Sequence, residues 1–124
     1  MVLKLYGASL SSCTRRVAIV LHEKKVPFEF HPIDFSKGEH KAPAHVAKQP
    51  FGQVPYIDDD GFVLFESRAI ARYLALKYAG QGTPLIPSPS DIQKTAKFEE
   101  AASIEWAAFE PYAGKVCMEK MVNP

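Results

Sequence analysis

Along the chain the apolar positions change period several times, and each change marks an element. Leu3 and Leu5 alternate with Lys4 and Tyr6, the two-residue period of a half-buried strand. Val17, Val20 and Leu21 fall at helical spacing, which predicts a helix from about Cys13 to Lys25 with Ser11, Ser12 or Thr14 able to cap it. In "PFEFHPI", Phe28 and Phe30 alternate with Glu29 and His31, a second strand. Strand, helix and strand form a βαβ unit, and such units close as right-handed parallel pairs. The next segment, "DFSKGEHKAPAHVAKQPFGQ", loses all periodicity and carries Pro and Gly. It reads as a long surface segment with one helical turn, of a length usually tied to function or disorder. "VPYI", "DDDG" and "FVLF" then read as strand, tight turn and strand. Ile70, Tyr73, Leu74 and Lys77 share one face of a second helix ending by Gly80, the lysine stem lying along apolar surface.

"GQGTPLIPSPS" is a linker by composition. Ser90 with Gln93 reads as a capping box opening a third helix, down one side of which Phe98, Ala102, Trp106 and Phe109 recur. Pro111 is expected to kink or end that helix before "YAGKVCMEKM" resumes helical character. The order βαβ, long segment, ββα lets two parallel strands and an antiparallel hairpin join into one four-stranded mixed sheet with helices packed on it. This α/β domain is expected over residues 1–80, with a linker at 81–90. Residues 91–124 then hold one or two helices whose apolar stripe a lone helical pair cannot bury, so it is expected to pack on the sheet domain, on another chain or on residues that have been removed, as in a fragment or a truncated variant.

Composition narrows the function without naming it. Lys and Arg number 15 against 14 Asp and Glu, so no charge excess drives binding to nucleic acid or to a membrane surface. No apolar run approaches the ~20 residues that span a bilayer, and "MVLKLYG" leads into a strand rather than a signal peptide. Two cysteines, Cys13 and Cys117, make no disulfide framework and fit a reducing, cytoplasmic setting. His22, His31, His40 and His45 lack metal-ligand spacing, so no metal is expected.

Four features bear candidate chemistry. "SLSSCTRRV" offers hydroxyls and a thiol at the head of a helix, without a Ser-His-Asp order to activate them. In "GQVPY", a cis Val54–Pro55 bond would turn the Val54 N–H and C=O away from the sheet, as an edge for an extended peptide. In "FESRAI", Glu66 and Ser67 stand where a helix N-terminus favours an anion, Ser67 suited to a carboxylate and Glu66 to an ammonium. "EHK" supplies His40 and Lys41 as cations.

Taken together, "SSCTRRVAI", "GEHK", "PFGQVPYIDDDGFVLFESRAIARYLA" and "FEPYAGK" resemble the phi class of glutathione transferases, over essentially the whole chain. The resemblance implies a thioredoxin-like βαβ–ββα domain that holds glutathione as co-substrate, followed by an all-helical domain that walls an electrophile pocket and of which residues 91–124 are the truncated start. Relatives with a catalytic cysteine place it six positions before the helix valine, and counting back from Val17 reaches Ser11, where the phi class carries its serine. The resemblance thereby implies Ser11 as the catalytic residue and Cys13 as a partly buried bystander. Glu66 and Ser67 would hold the γ-glutamyl end, Val54 with Pro55 the cysteinyl unit, and His40, Lys41 and Gln53 the glycyl end. Arg16 would support the fold or a dimer, and Arg68 a dimer interface. The implied reaction is attack by the glutathione thiolate on a small hydrophobic electrophile or an organic hydroperoxide, in a homodimer with the Phe51–Gly52 loop at its contact. A non-catalytic carrier and a Cys13-dependent thiol reductase are the alternatives.

Overall fold

The computed structural model describes residues 1–122, which divide into two compact units, Met1–Leu85 and the chain from Ile86 onward. In the first, β1 (Leu3–Gly7), β2 (Phe28–Pro32), β3 (Tyr56–Asp59) and β4 (Phe62–Phe65) form one four-stranded sheet in the order β2-β1-β3-β4. β1 runs parallel to β2, with Leu5 opposite Phe30, and antiparallel to β3, with Tyr6 opposite Tyr56. β3 and β4 close the antiparallel hairpin, Tyr56 facing Phe65.

The two-residue period of β1 sorts its side chains onto two faces. Leu3 and Leu5 join Ile57 on one face, where α1 (Ser12–Glu23) contributes Val17 and Leu21, and α3 (Ser67–Lys77) contributes Ile70 and Leu74. All but Leu3 of these are completely buried, each worth about 1.5–3 kcal/mol relative to exposure. Tyr6 points to the other face, stacked between His31 and Tyr56 at centroid distances of 4.7 and 4.5 Å.

The first helix ends two residues before the expected Lys25, for a backbone reason that apolar spacing does not carry. Lys25 adopts a left-handed φ of 57°, its N–H donates to His22 O, and Val26 N–H donates to Leu21 O. That is a Schellman stop, with Val26 and Leu21 both in the core behind it. The long polar segment holds more structure than one turn. Two 3₁₀ turns, Phe35–Lys37 and Glu39–Lys41, meet at Gly38 in a left-handed conformation and lead into α2 (Pro43–Val46). Asp34 caps the first turn through Ser36, and polar caps of this kind leave no apolar period to read.

Lys77 does more than lay its stem on the α3 face. Its Nζ and the Tyr73 hydroxyl both donate to Asp59 Oδ2 at 2.5 Å, closing the C-terminal half of α3 onto β3. Asp59 is buried, which by itself would raise its pKa, yet the bonds from Lys77 and Tyr73 and the Lys77 charge hold it below the ordinary carboxylate value.

In the second unit, α4 (Ile92–Ile104) starts one residue later than the capping box predicted. Asp91, not Ser90, is the cap: its carboxylate accepts from Lys94 N–H at 3.1 Å, while the Ser90 hydroxyl is engaged with Ser88. A charged acceptor satisfies the orphan N–H at least as well as a hydroxyl. At Pro111 the helix neither stops nor continues regularly. A π-helical stretch, Glu105–Phe109, widens the helix just before Pro111, which then sits in the first turn of α5 (Glu110–Cys117). Widening there relieves the clash between a proline ring and the carbonyl four residues back. Another π-helical turn follows at Met118–Val122. Of the apolar stripe, Trp106 and Phe109 are 58% and 62% exposed.

Candidate functional site

Three chain crossings converge at one end of the sheet. Tyr6, Tyr56 and Phe65 are aligned in register, so the C-terminal end of β1, the start of β3 and the end of β4 lie side by side. The segments leaving that end are Ala8–Ser11, Val54–Pro55 and Glu66–Ser67, which carry most of the residues singled out in the sequence.

Ser11 is the N-cap of α1. Its Oγ accepts from Thr14 N–H at 3.2 Å, and its own N–H donates to Ala8 O at 3.0 Å. Having accepted, the hydroxyl still has its hydrogen to donate. The turn is fastened from below as well, because buried Thr14 accepts from Ala8 N–H through Oγ1. Gly7 permits this: a Cβ there would sit 2.6 Å from the Thr14 side chain. Cys13, two residues into the helix from the cap, is half-buried.

Ser67 is buried as the first residue of α3, and Glu66 before it holds a left-handed φ of 76° without capping the helix through its side chain. A non-glycine residue in that region costs on the order of 1–3 kcal/mol, so the surrounding packing must hold it. Arg16 links this corner to α1. Its Nη1 donates to Ser67 Oγ at 2.7 Å and lies 3.7 Å from Cys13 Sγ. As at Ser11, the Ser67 oxygen is used as an acceptor and its hydrogen remains to donate.

His40, Lys41, Gln53 and Val54 gather where two loops meet. His40 sits edge-on against Phe35, and Lys41 Nζ lies over the neighbouring loop, 3.4 Å from Phe51 O. Gly52, with φ of 63°, makes the approach possible, since a Cβ there would meet Lys41 Nζ at 2.7 Å. The Val54–Pro55 bond is cis. Among the described residues neither the N–H nor the C=O of Val54 takes part in a ladder or loop hydrogen bond.

Two residues that shape this loop were missed in the sequence. His45 Nε2 lies 2.7 Å from Gln53 O, and Gln49 Oε1 accepts from Phe51 N–H at 2.7 Å and from Gln53 N–H at 3.4 Å. Both side chains are buried, His45 edge-on against Tyr56. Burial and neighbouring charge push the Tyr56 hydroxyl up to about 12, so it stays protonated at any physiological pH. Their spacing of four residues, in a segment without apolar periodicity, carries no signal that polar side chains turn inward. Among the described residues, no group of three or more His, Cys, Asp or Glu is placed to hold a metal ion, and no helix is long and apolar enough to cross a membrane.

A βαβ–ββα unit with this strand order is thioredoxin-like, and residues 1–76 match the N-terminal domain of glutathione S-transferase. The chain is 46% identical over 120 residues to glutathione S-transferase PM239X14 of Arabidopsis thaliana, covering 95% of this chain and 55% of that protein. It superposes on the crystal structure of glutathione transferase F7 from Populus trichocarpa with a TM-score of 0.93 at 43% identity, covering 99% of this chain and 57% of that one. At 32% identity and a TM-score of 0.86 it also resembles glutathione S-transferase I from maize, solved in complex with an atrazine glutathione conjugate, covering 98% of this chain and 55% of that one. The chain belongs to the glutathione S-transferase family, and within it to the plant phi type. It spans little more than half the length of these relatives.

Proposed function

We propose that residues 1–80 bind reduced glutathione along this end of the sheet, and that Ser11 holds its thiol as a thiolate for attack on small hydrophobic electrophiles. Organic hydroperoxides fit the same chemistry: the thiolate attacks a peroxide oxygen, the O–O bond breaks, the alkoxide takes a proton and leaves as the alcohol, and a second glutathione converts the resulting sulfenic acid to the disulfide and water. The observation that carries the reading is the state of the Ser11 hydroxyl, pinned as an acceptor at the head of α1 with its hydrogen left to donate. A free thiol titrates near pH 8.5, and lowering that by ~2 units requires ~2.7 kcal/mol. One hydrogen bond to the anion supplies ~1.5–3 kcal/mol, and the α1 N-terminus adds ~0.3–1, up to ~2 where partly buried. The two together suffice without a general base, which accounts for a serine unaccompanied by a His-Asp pair.

The tripeptide would be held at both ends: the γ-glutamyl unit by Glu66 and Ser67, the glycyl carboxylate by His40, Lys41 and Gln53, with the Val54 backbone and Pro55 against the cysteinyl unit. Arg16 would orient Ser67 rather than touch the ligand. The same loop is proposed as a dimer contact, since Phe51 is 64% exposed beside Lys41. A cytoplasmic setting and a detoxifying role follow from the same reading.

Calorimetry with reduced glutathione tests the binding half. Ser67→Ala removes a donor to a carboxylate worth ~1.5–3 kcal/mol, so affinity should fall by roughly tenfold or more. Unchanged affinity removes Ser67 from the site. The Cys13 reductase reading has one observation in its favour, the Arg16 guanidinium against Sγ. It alone requires a mixed disulfide at Cys13, which mass spectrometry after incubation with oxidised glutathione would detect.

A further inference from the structure

The geometry points to His45 as the positioning residue for the Val54 N–H, the backbone donor offered to the cysteinyl unit of glutathione. This inference rests on the binding mode proposed above. His45 is only 4% exposed and lies in α2, outside every stretch assigned to the ligand. Its Nε2 is 2.7 Å from Gln53 O, and a carbonyl only accepts, so Nε2 carries the proton and donates. Nδ1 is buried without a partner, which a neutral ring tolerates better than a second N–H would.

The consequence lies in a single peptide unit. Gln53 C=O and Val54 N–H belong to one trans peptide, so they point in opposite directions. Holding the oxygen against His45 therefore aims the Val54 N–H away from α2, where no described residue takes it up. Gln49, 2% exposed, holds the preceding backbone through the N–H groups of Phe51 and Gln53. A flip of this peptide would break the His45 bond and bury the donor the ligand needs. His45 thus acts through the backbone, without touching glutathione.

Three substitutions in the 124-residue chain separate this role from simple packing. His45→Gln keeps an amide donor at about the reach of Nε2. His45→Asn has the same amide one methylene short, and His45→Phe keeps a ring against Tyr56 with no donor. Reduced glutathione, titrated calorimetrically, should bind the Gln variant within about threefold of the parent and the Asn and Phe variants about tenfold more weakly. The Val54 amide proton, followed by NMR, should shift on binding in the parent and the Gln variant and stay still in the Phe variant. Equal affinity across the variants, or a Gln variant as weak as Asn, overturns the assignment. Should the Phe variant not fold, the Gln–Asn comparison decides alone. A parent chain that fails to bind glutathione sinks the proposed function and this inference with it, whereas parent binding that ignores position 45 sinks only the inference.

Discussion

Replacing Ser11 by alanine removes an acceptor and a donor with one atom, and the two losses can be read separately. As an acceptor, Oγ satisfies Thr14 N–H at the head of α1. Loss of such a cap costs about 0.5–2 kcal/mol, typically ~1, and should lower the urea midpoint without changing its slope. As a donor, the hydroxyl is proposed to bind the glutathione thiolate, and its loss should raise the bound thiol's pKa by ~1–2 units at 1.36 kcal/mol per unit. Glutathione affinity should barely change, because the peptide is held at its two ends. The thiolate's ultraviolet absorbance, titrated against pH in the parent and in Ser11→Ala, measures the shift directly. In a chain carrying a full helical domain, the conjugation rate at neutral pH should fall on the order of tenfold and recover partly as pH rises. Ser11→Asp isolates the two roles, since its carboxylate can still cap α1 but repels a thiolate, so stability should return while the thiol pKa stays high. An unshifted thiol in Ser11→Ala, together with lost activity in Cys13→Ala, would refute the assignment and favour the reductase chemistry.

Two further predictions concern the scaffold. Asp59 has a folded pKa held below its unfolded value of about 3.9. Its contribution to stability is therefore complete above that pH and is lost as pH falls through the folded pKa. Asp59→Ala should cost about 1–3 kcal/mol at pH 7, and urea midpoints measured from pH 7 downward should converge with the parent's in acid; parallel curves would count against the carboxylate. Lys25 holds a left-handed φ while its side chain is exposed. Lys25→Gly should stabilise the chain by about 1 kcal/mol, and a lowered melting temperature would show that the lysine itself contributes contacts that outweigh the strain.

How much was legible follows from which forces leave a periodic trace. Burial does. Leu3, Leu5, Val17, Leu21, Ile70 and Leu74 each recur at the period of their element, so the βαβ–ββα order and the four-stranded sheet could be read from the chain. The local geometry of "GQVPY" and "FESRAI", a cis Val54–Pro55 bond and a helix opening at Ser67, was likewise legible, because adjacent residues set it. What the chain alone could not show are polar contacts between residues distant in sequence or turned inward without a period. Arg16 was left between fold and dimer, and only tertiary packing sets it on Ser67, fifty-one positions away. His45 and Gln49 look like surface residues of a polar segment until β3 and the loop close over them. Helix ends divide the same way: the Asp91 cap and the Lys25 stop depend on which backbone N–H or C=O lacks a partner, and several nearby residues could have met that need. Sequence periodicity records which face is hidden from water. The aim of a particular donor at a particular acceptor is decided only when the folded backbone has brought the two within three ångströms.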